Sequence, residues 1–279
     1  MLNIKFYCPR WGAEKIPWKI FSPQVKKADY DGVEVYPLQY PEEKLNMLKS
    51  FEDNGLEFSL LHAEMVEGVN FERYKDALTR NMYELVNYQT AALKPQFITT
   101  QTGREYYNEQ QMASCFEICD RISSESGIPI IQETHRNKWS YAAHIVKKYL
   151  EKFPNLQLAL DISHWFCVSE SYLEDQQEAI DLAIKHTVHL HARVGHTEGP
   201  QVTDPRATEN EEALMHHLKC WDKWIAHRKE SNISKCTITP EFGPYPYMAY
   251  EIGKETPIAS QWELNCFMKD MLSRRYKTS

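Results

Sequence analysis

The chain has 279 residues, 42% of them hydrophobic, with 7 Trp, 16 Tyr and 11 Phe; this fills one large core, and α/β barrels of this length occur as single units. Its 32 basic residues stand against 39 acidic ones, a net charge of −7 whose field repels phosphate backbones and argues against nucleic acid as a partner. The 10 glycines nowhere spell G-x-G-x-x-G or a P-loop, so no nucleotide cofactor is expected.

Short apolar runs alternate with longer amphipathic ones along the whole chain. A strand is expected over 3–7, a helix beginning at 23–28, a strand over 32–36 (GVEVY) and a helix over 42–54 with Leu45, Leu48 and Phe51 at helical spacing. A strand over 57–63 (EFSLLHA) precedes a helix over 71–93 that puts Tyr74, Leu78, Met82 and Leu85 on one face. Next come a strand over 96–101 (QFITTQ), a helix over 109–126 stopped by Gly127, and a strand over 128–133 (IPIIQE). The second half repeats the rhythm: helix 141–152, strand 156–161, helix 174–185, strand 187–192, helix 211–228, strand 235–242 and a closing helix over 258–275. No linker, repeat or low-complexity tract interrupts it. Eight strand–helix units are accommodated most simply by a single (β/α)8 TIM barrel domain over 1–279, ahead of an open doubly wound sheet.

The seven cysteines contain no C-x-x-C, which reads as reduced thiols in a cytoplasmic protein. The first residues read as a strand rather than a leader, and no run of 18 apolar residues predicts a membrane span.

In such a barrel the residues at the strand C-termini ring the site. Here strand five ends in Glu133, strand six in Asp161, strand seven in His191 and strand eight in Glu241. Three converging carboxylates call for a positive partner. No Lys or Arg is evident at the same depth, so a divalent cation is expected rather than a salt-bridged cluster. The O,O,O,N donor set without thiolate suits Mn²⁺, Mg²⁺, Co²⁺ or Zn²⁺, its carboxylate majority favouring Mn²⁺. Period-two alternation sends His189, His191 and Arg193 to one face, and puts Glu34 in the interior or near the mouth. Trp11 and Trp165 follow strand ends, where an aromatic face can stack on sugar C–H surface or simply pack; Trp139 and Phe166 are similar. The pair His216–His217 falls within a helix and reads as surface.

Several segments carry a family resemblance: DGVEV (31–35), LLHAE (60–64), IQETH (131–135), LALDISHW (158–165), VHLHAR (188–193) and ITPEFG (238–243). Their order resembles the sugar isomerase/epimerase group of xylose-isomerase-like TIM barrels, of the ketose 3-epimerase type. The resemblance implies that Glu133, Asp161, His191 and Glu241 bind the metal and that Glu133 and Glu241 form an acid/base pair. It further implies that His62, His164 and Arg193 hold oxygens of a small carbohydrate substrate. A metal chelating a ketose carbonyl and its neighbouring hydroxyl acidifies the C–H between them, and two carboxylates on opposite faces can then move the proton. Gly195, Gly199 and Gly243 make no phosphate-gripping loop, so an unphosphorylated sugar or polyol is expected. Relatives commonly associate, and the last helix, with Trp262, Phe267 and Met268, offers a surface for a homo-oligomer. A keto-polyol dehydratase or lyase on the same site, and a non-catalytic sugar-binding barrel, are the competing readings; an apurinic endonuclease is disfavoured by the −7 charge.

Overall fold

A computed structural model describes residues 2–63 and 70–277. Its strands are β1 (Asn3–Pro9), β2 (Gly32–Val35), β3 (Glu57–Ala63), β4 (Ile98–Gln101), β5 (Ile130–Glu133), β6 (Leu158–Leu160), β7 (Thr187–His191) and β8 (Lys235–Thr239). They pair in parallel, in chain order, and close into a barrel where Lys5 of β1 registers with Thr237 of β8. Around them run α1 (Trp18–Lys27), α2 (Pro41–Asn54), α3 (Phe71–Val86), α4 (Glu109–Ser126), α5 (Ala143–Lys152), α6 (Ser163–Ser169), α7 (Gln177–His186), α8 (Glu211–Glu230) and α9 (Gln261–Lys277). The expected eight-stranded barrel is the fold. Glu64, the last residue of the LLHAE segment, lies outside the described residues.

Local chemistry sets the element ends. The Asn108 side chain accepts from the Gln111 backbone N–H, and the Gln111 side chain accepts from that of Asn108, a reciprocal cap that starts α4. Gly127 ends it with φ +66°, a left-handed conformation open to glycine without a Cβ penalty. Helix faces such as Leu78, Met82 and Leu85 of α3 bury against outward strand residues including Val33, Phe58, Leu60 and Ile98. Each such side chain contributes about 1.5–3 kcal/mol by leaving water.

The barrel interior is layered. At the N-terminal end the Glu57 carboxylate gathers Lys5, the Tyr7 hydroxyl at 2.7 Å and Lys235 at 3.2 Å. Above it, Tyr7, Phe97, Ile131 and Ala159 form a small apolar core. A polar layer follows, in which His189 Nδ1 meets Thr237 Oγ1 at 2.6 Å and Nε2 meets Thr239 Oγ1 at 3.3 Å. His189 is thus a hydrogen-bonded interior residue.

Differences from the expected elements have local causes. Helix α1 begins at Trp18 rather than at Pro23, which lies inside it; a proline reads from sequence as a first-turn residue but removes only one hydrogen bond here. Helix α3 ends at Val86 rather than 93 because residues 90–93 close a turn, the Thr90 N–H donating to the Leu93 carbonyl at 2.8 Å. Helix α6 was not expected. The Asp161 carboxylate starts it by accepting from the Ser163 N–H at 2.9 Å and its hydroxyl at 2.5 Å. His217 is buried rather than on the surface, because it shares the inward face of α8 with Ala213, Trp221 and Trp224. On α9, Met268 is spent in the chain's own core, Trp262 packs on Tyr30, and Phe267 lies under Arg206.

Candidate active site

Strands β5, β6, β7 and β8 deliver one group each to the C-terminal mouth. Glu133 closes β5, Asp161 follows β6, His191 closes β7 and Glu241 lies two residues beyond β8, so alternation turns all four inward. One donor atom from each lies within 4.8 Å of the others, and all four residues are buried. His191 Nδ1 stands 3.3 Å from Glu133 Oε1 and 3.4 Å from Glu241 Oε2.

The surroundings fix the members of this cluster. The Gln101 amide donates to Glu133 Oε2 at 2.9 Å. Asp161 is tied through its backbone, its N–H donating to Thr134 Oγ1 at 2.8 Å while that hydroxyl donates to the Asp161 carbonyl at 2.9 Å. Ser163 donates to Asp161 Oδ1, Arg193 pairs with Oδ2, and His164 Nε2 lies 3.5 Å from that second oxygen. The expectation that no basic side chain lies at this depth is therefore corrected. Arg193 is buried, pairs with Asp161 and stands 3.9 Å from Glu241, because residue 193 keeps the inward phase of His189 and His191.

Burial opposes ionisation throughout, and the neighbours decide which groups overcome it. Burial raises Glu241 by more than His191 and Arg193 offset, Glu133 and Asp161 adding smaller increments, so its carboxyl sits above the usual carboxylate range. In Glu133 the His191 imidazole and the Gln101 amide outweigh burial and hold the carboxyl below that range. His191 is raised despite burial by Glu241, Glu34 and Glu133. His164 is lowered by burial and then by His135 and the Arg193 and Arg136 guanidinium groups, and is neutral.

The donor set fits a divalent cation. Three buried carboxylates face one another, and among the described residues Arg193 is the one guanidinium within ion-pair distance of them. The Glu241 carboxylate, 4% exposed, accepts no hydrogen bond from the described residues. Two carboxylates of β5 and β8 flanking one imidazole nitrogen, with Asp161 Oδ2 beside them and shared with Arg193, form an O,O,O,N set of the kind hard divalent ions take.

Of the other residues expected at the site, His164 and Arg193 are brought to it. Trp11 borders it, its ring 5.2 Å edge-on from Tyr247. His62 is not. As an even-numbered residue of β3 it points out to the helix layer, Nδ1 3.2 Å from Thr100 Oγ1 and Nε2 3.2 Å from the Asn81 amide of α3. Trp165 is packed in the core with its indole N–H donated to the Ser140 carbonyl at 2.8 Å, and Trp139 and Phe166 are buried likewise.

Four site residues escaped sequence reading. Gln101 ends β4, and the strand-end rule applied to that strand finds it. Tyr36 continues the inward phase of Glu34; burial, then Glu241 and Glu133, hold its phenol protonated. Arg136 and Tyr247 come from loops, where no period exists to follow. Their side chains meet at 3.0 Å, the Arg136 Nη2 donating to the Tyr247 hydroxyl.

Comparison with known proteins bears on the fold and the family. No curated protein matches the chain. Among solved structures, a D-tagatose 3-epimerase-like protein is 12% identical, with 98% of this chain and 97% of that chain covered at a TM-score of 0.63. The probable 3-DHS dehydratase AsbF from Bacillus anthracis is 15% identical over 98% and 100%, at 0.59. The 3-keto-D-glucoside 4-epimerase YcjR from E. coli is 8% identical over 98% and 100%, also at 0.59. At such identities the likeness is one of fold. The sequence model of the Xylose isomerase-like TIM barrel family matches residues 23–241, and with the closed barrel and its strand-end site this chain belongs to that family.

Proposed function

We propose that this protein is a divalent-metal-dependent isomerase or epimerase of a small sugar, working by proton transfer next to a carbonyl. The observation that carries the reading is the buried convergence of Glu133, Asp161, His191 and Glu241, with donor atoms within 4.8 Å. The epimerases named among the solved structures of the same fold support it.

Those four residues would hold the ion, with Mn²⁺ the preferred fit; once bound it would polarise a substrate carbonyl and its neighbouring hydroxyl. The chain supplies the proton chemistry. Glu133 and Glu241 reach His191 Nδ1 from β5 and β8, at 3.3 and 3.4 Å, and two carboxylates so placed suit one to accept a proton and the other to return it. Positioned transfer of this kind contributes about 10²–10⁴-fold in rate. His164 and Arg193 orient substrate oxygens beside Asp161, and Trp11 offers an aromatic edge at the rim.

The test is deuterium incorporation from D₂O into a panel of ketoses, with and without Mn²⁺. Metal-dependent exchange with recovery of an isomeric sugar supports the reading. Exchange accompanied by water loss and an ultraviolet-absorbing enone makes the enzyme a dehydratase. Metal and sugar binding without exchange makes it a binding barrel.

A further inference from the structure

The β5–α5 loop places a second guanidinium at the mouth, three residues beyond Glu133. Arg136 is partly exposed, and among the described residues no carboxylate lies within ion-pair distance of it, whereas the other site arginine, Arg193, is paired to Asp161. Both guanidinium groups converge on the same two side chains, Tyr247 and His164. Their central carbons lie 5.1 Å (Arg136) and 4.7 Å (Arg193) from the centre of the Tyr247 ring. Arg136 Nη1 is 2.8 Å from His164 Nδ1, and Arg193 Nη2 is 2.8 Å from His164 Nε2.

This sharing is over-subscribed. A neutral imidazole has one acceptor nitrogen and a protonated one has none, so at most one of the two guanidinium N–H groups is satisfied by His164. Arg193 has Asp161 and Ser163 as further acceptors; among the described residues Arg136 has only the Tyr247 hydroxyl. The arrangement leaves a planar two-pronged donor at the rim, one imidazole's width from the Asp161 carboxylate and lacking an anionic partner. Carboxylates fill that geometry with paired charge-assisted hydrogen bonds.

We propose that Arg136 binds a carboxylate of the substrate, so that the sugar handled here is a sugar acid whose carboxylate lies at the end of the carbon chain remote from the reacting carbonyl. This rests on the carbonyl end being held at the Glu133, Asp161, His191 and Glu241 cluster. A single arginine with one tyrosine hydroxyl favours a carboxylate over a phosphate, whose greater charge calls for more donors.

The matched probes are D-fructuronate, D-fructose and D-fructose 6-phosphate, which differ at C6 alone, titrated calorimetrically into the Mn²⁺-loaded full-length chain. Wild type should bind D-fructuronate at least about tenfold tighter than D-fructose, the scale of a hydrogen bond between charged groups. Arg136→Gln should bring that ratio near one. The proposal is overturned if wild type shows no preference, if it binds neither sugar, or if the phosphate binds tighter than the carboxylate. Persistence of the preference in Arg136→Gln overturns it too, since the carboxylate then sits on the metal or on Arg193. Should that variant misfold, the three wild-type affinities still decide. Deuterium exchange separates this inference from the reaction. Exchange into D-fructose without preference leaves the isomerase reading standing and removes the sugar acid. Preferential binding of D-fructuronate without exchange in any probe does the reverse.

Discussion

His191 Nε2 lies 3.0 Å from Oε2 of Glu34 on β2, while Nδ1 of the same ring faces Glu133 and Glu241 at 3.3 and 3.4 Å. The approach to Glu34 is poorly aligned, and neither Nε2 nor Oε2 has another partner. A cation drawing on Nδ1 would leave the proton on Nε2, aimed at Glu34, the carboxylate–histidine–metal relation that sets tautomer and ring orientation. Glu34→Gln should therefore weaken Mn²⁺ binding by about 10–100-fold with the four ligands intact. Calorimetric titration of metal into the apo chain measures it, and unchanged affinity would leave Glu34 as interior packing only.

The two glutamates of the proposed proton transfer can be removed without removing their shape. Glu133→Gln and Glu241→Gln should each slow deuterium exchange by at least about 10²-fold. Circular dichroism should show the fold retained. Because Glu241 bears an uncompensated burial cost, its amide variant should melt no lower than wild type in the absence of metal. Exchange at the wild-type rate in either variant would sink the mechanism.

Acid sensitivity should come in part from His217, far from the metal ligands in sequence. Its Nδ1 donates to the Ala213 carbonyl at 2.8 Å, and its Nε2 accepts from the Gly195 N–H at 3.3 Å. A second proton would set N–H against N–H. Burial accordingly pushes it from the ordinary 6.5 down to about 4. Between those values the unfolded chain binds more protons than the folded one, so stability is complete above about pH 6.5 and is lost as pH falls toward 4. The loss at pH 5 should be about 2 kcal/mol, one pKa unit being about 1.4 kcal/mol. Urea unfolding at pH 7 and pH 5 reads it, and His217→Gln should flatten that difference.

Gly243 is held by Gln201 on both its N–H (2.7 Å) and its carbonyl (3.2 Å), directly under Trp11. A Cβ there would come 2.2 Å from the indole. Gly243→Ala should cost about 1–3 kcal/mol by overpacking, read as a lower denaturation midpoint with a changed near-ultraviolet signal from the displaced tryptophan. An unchanged midpoint would mean that the loop after β8 yields freely.

The alternation of apolar strands with amphipathic helices made the barrel legible, because each element carries its own period and parallel strands joined by helices have few ways to close. The same period read out the inward cluster at the mouth. Once the strand ends were located, Glu133, Asp161, His191 and Glu241 had to converge. Where the period was not followed, as at His62, the side chain went to the wrong face of β3. Aromatic residues after strands carried no such rule, and Trp165 turned to the core because its indole N–H finds the Ser140 carbonyl there.

By itself, then, the sequence determined whatever depends on local periodicity: the strand–helix order, the closed barrel and the four inward groups at its mouth. Tertiary structure alone decided what lies between elements without a shared period. It paired Arg193 with Asp161, stood Glu34 behind His191, buried His217 under the β7 loop and drew Arg136 and Tyr247 to the rim. Such contacts depend on loop paths and on the burial of charge, and both are settled only when distant segments compete for the same space.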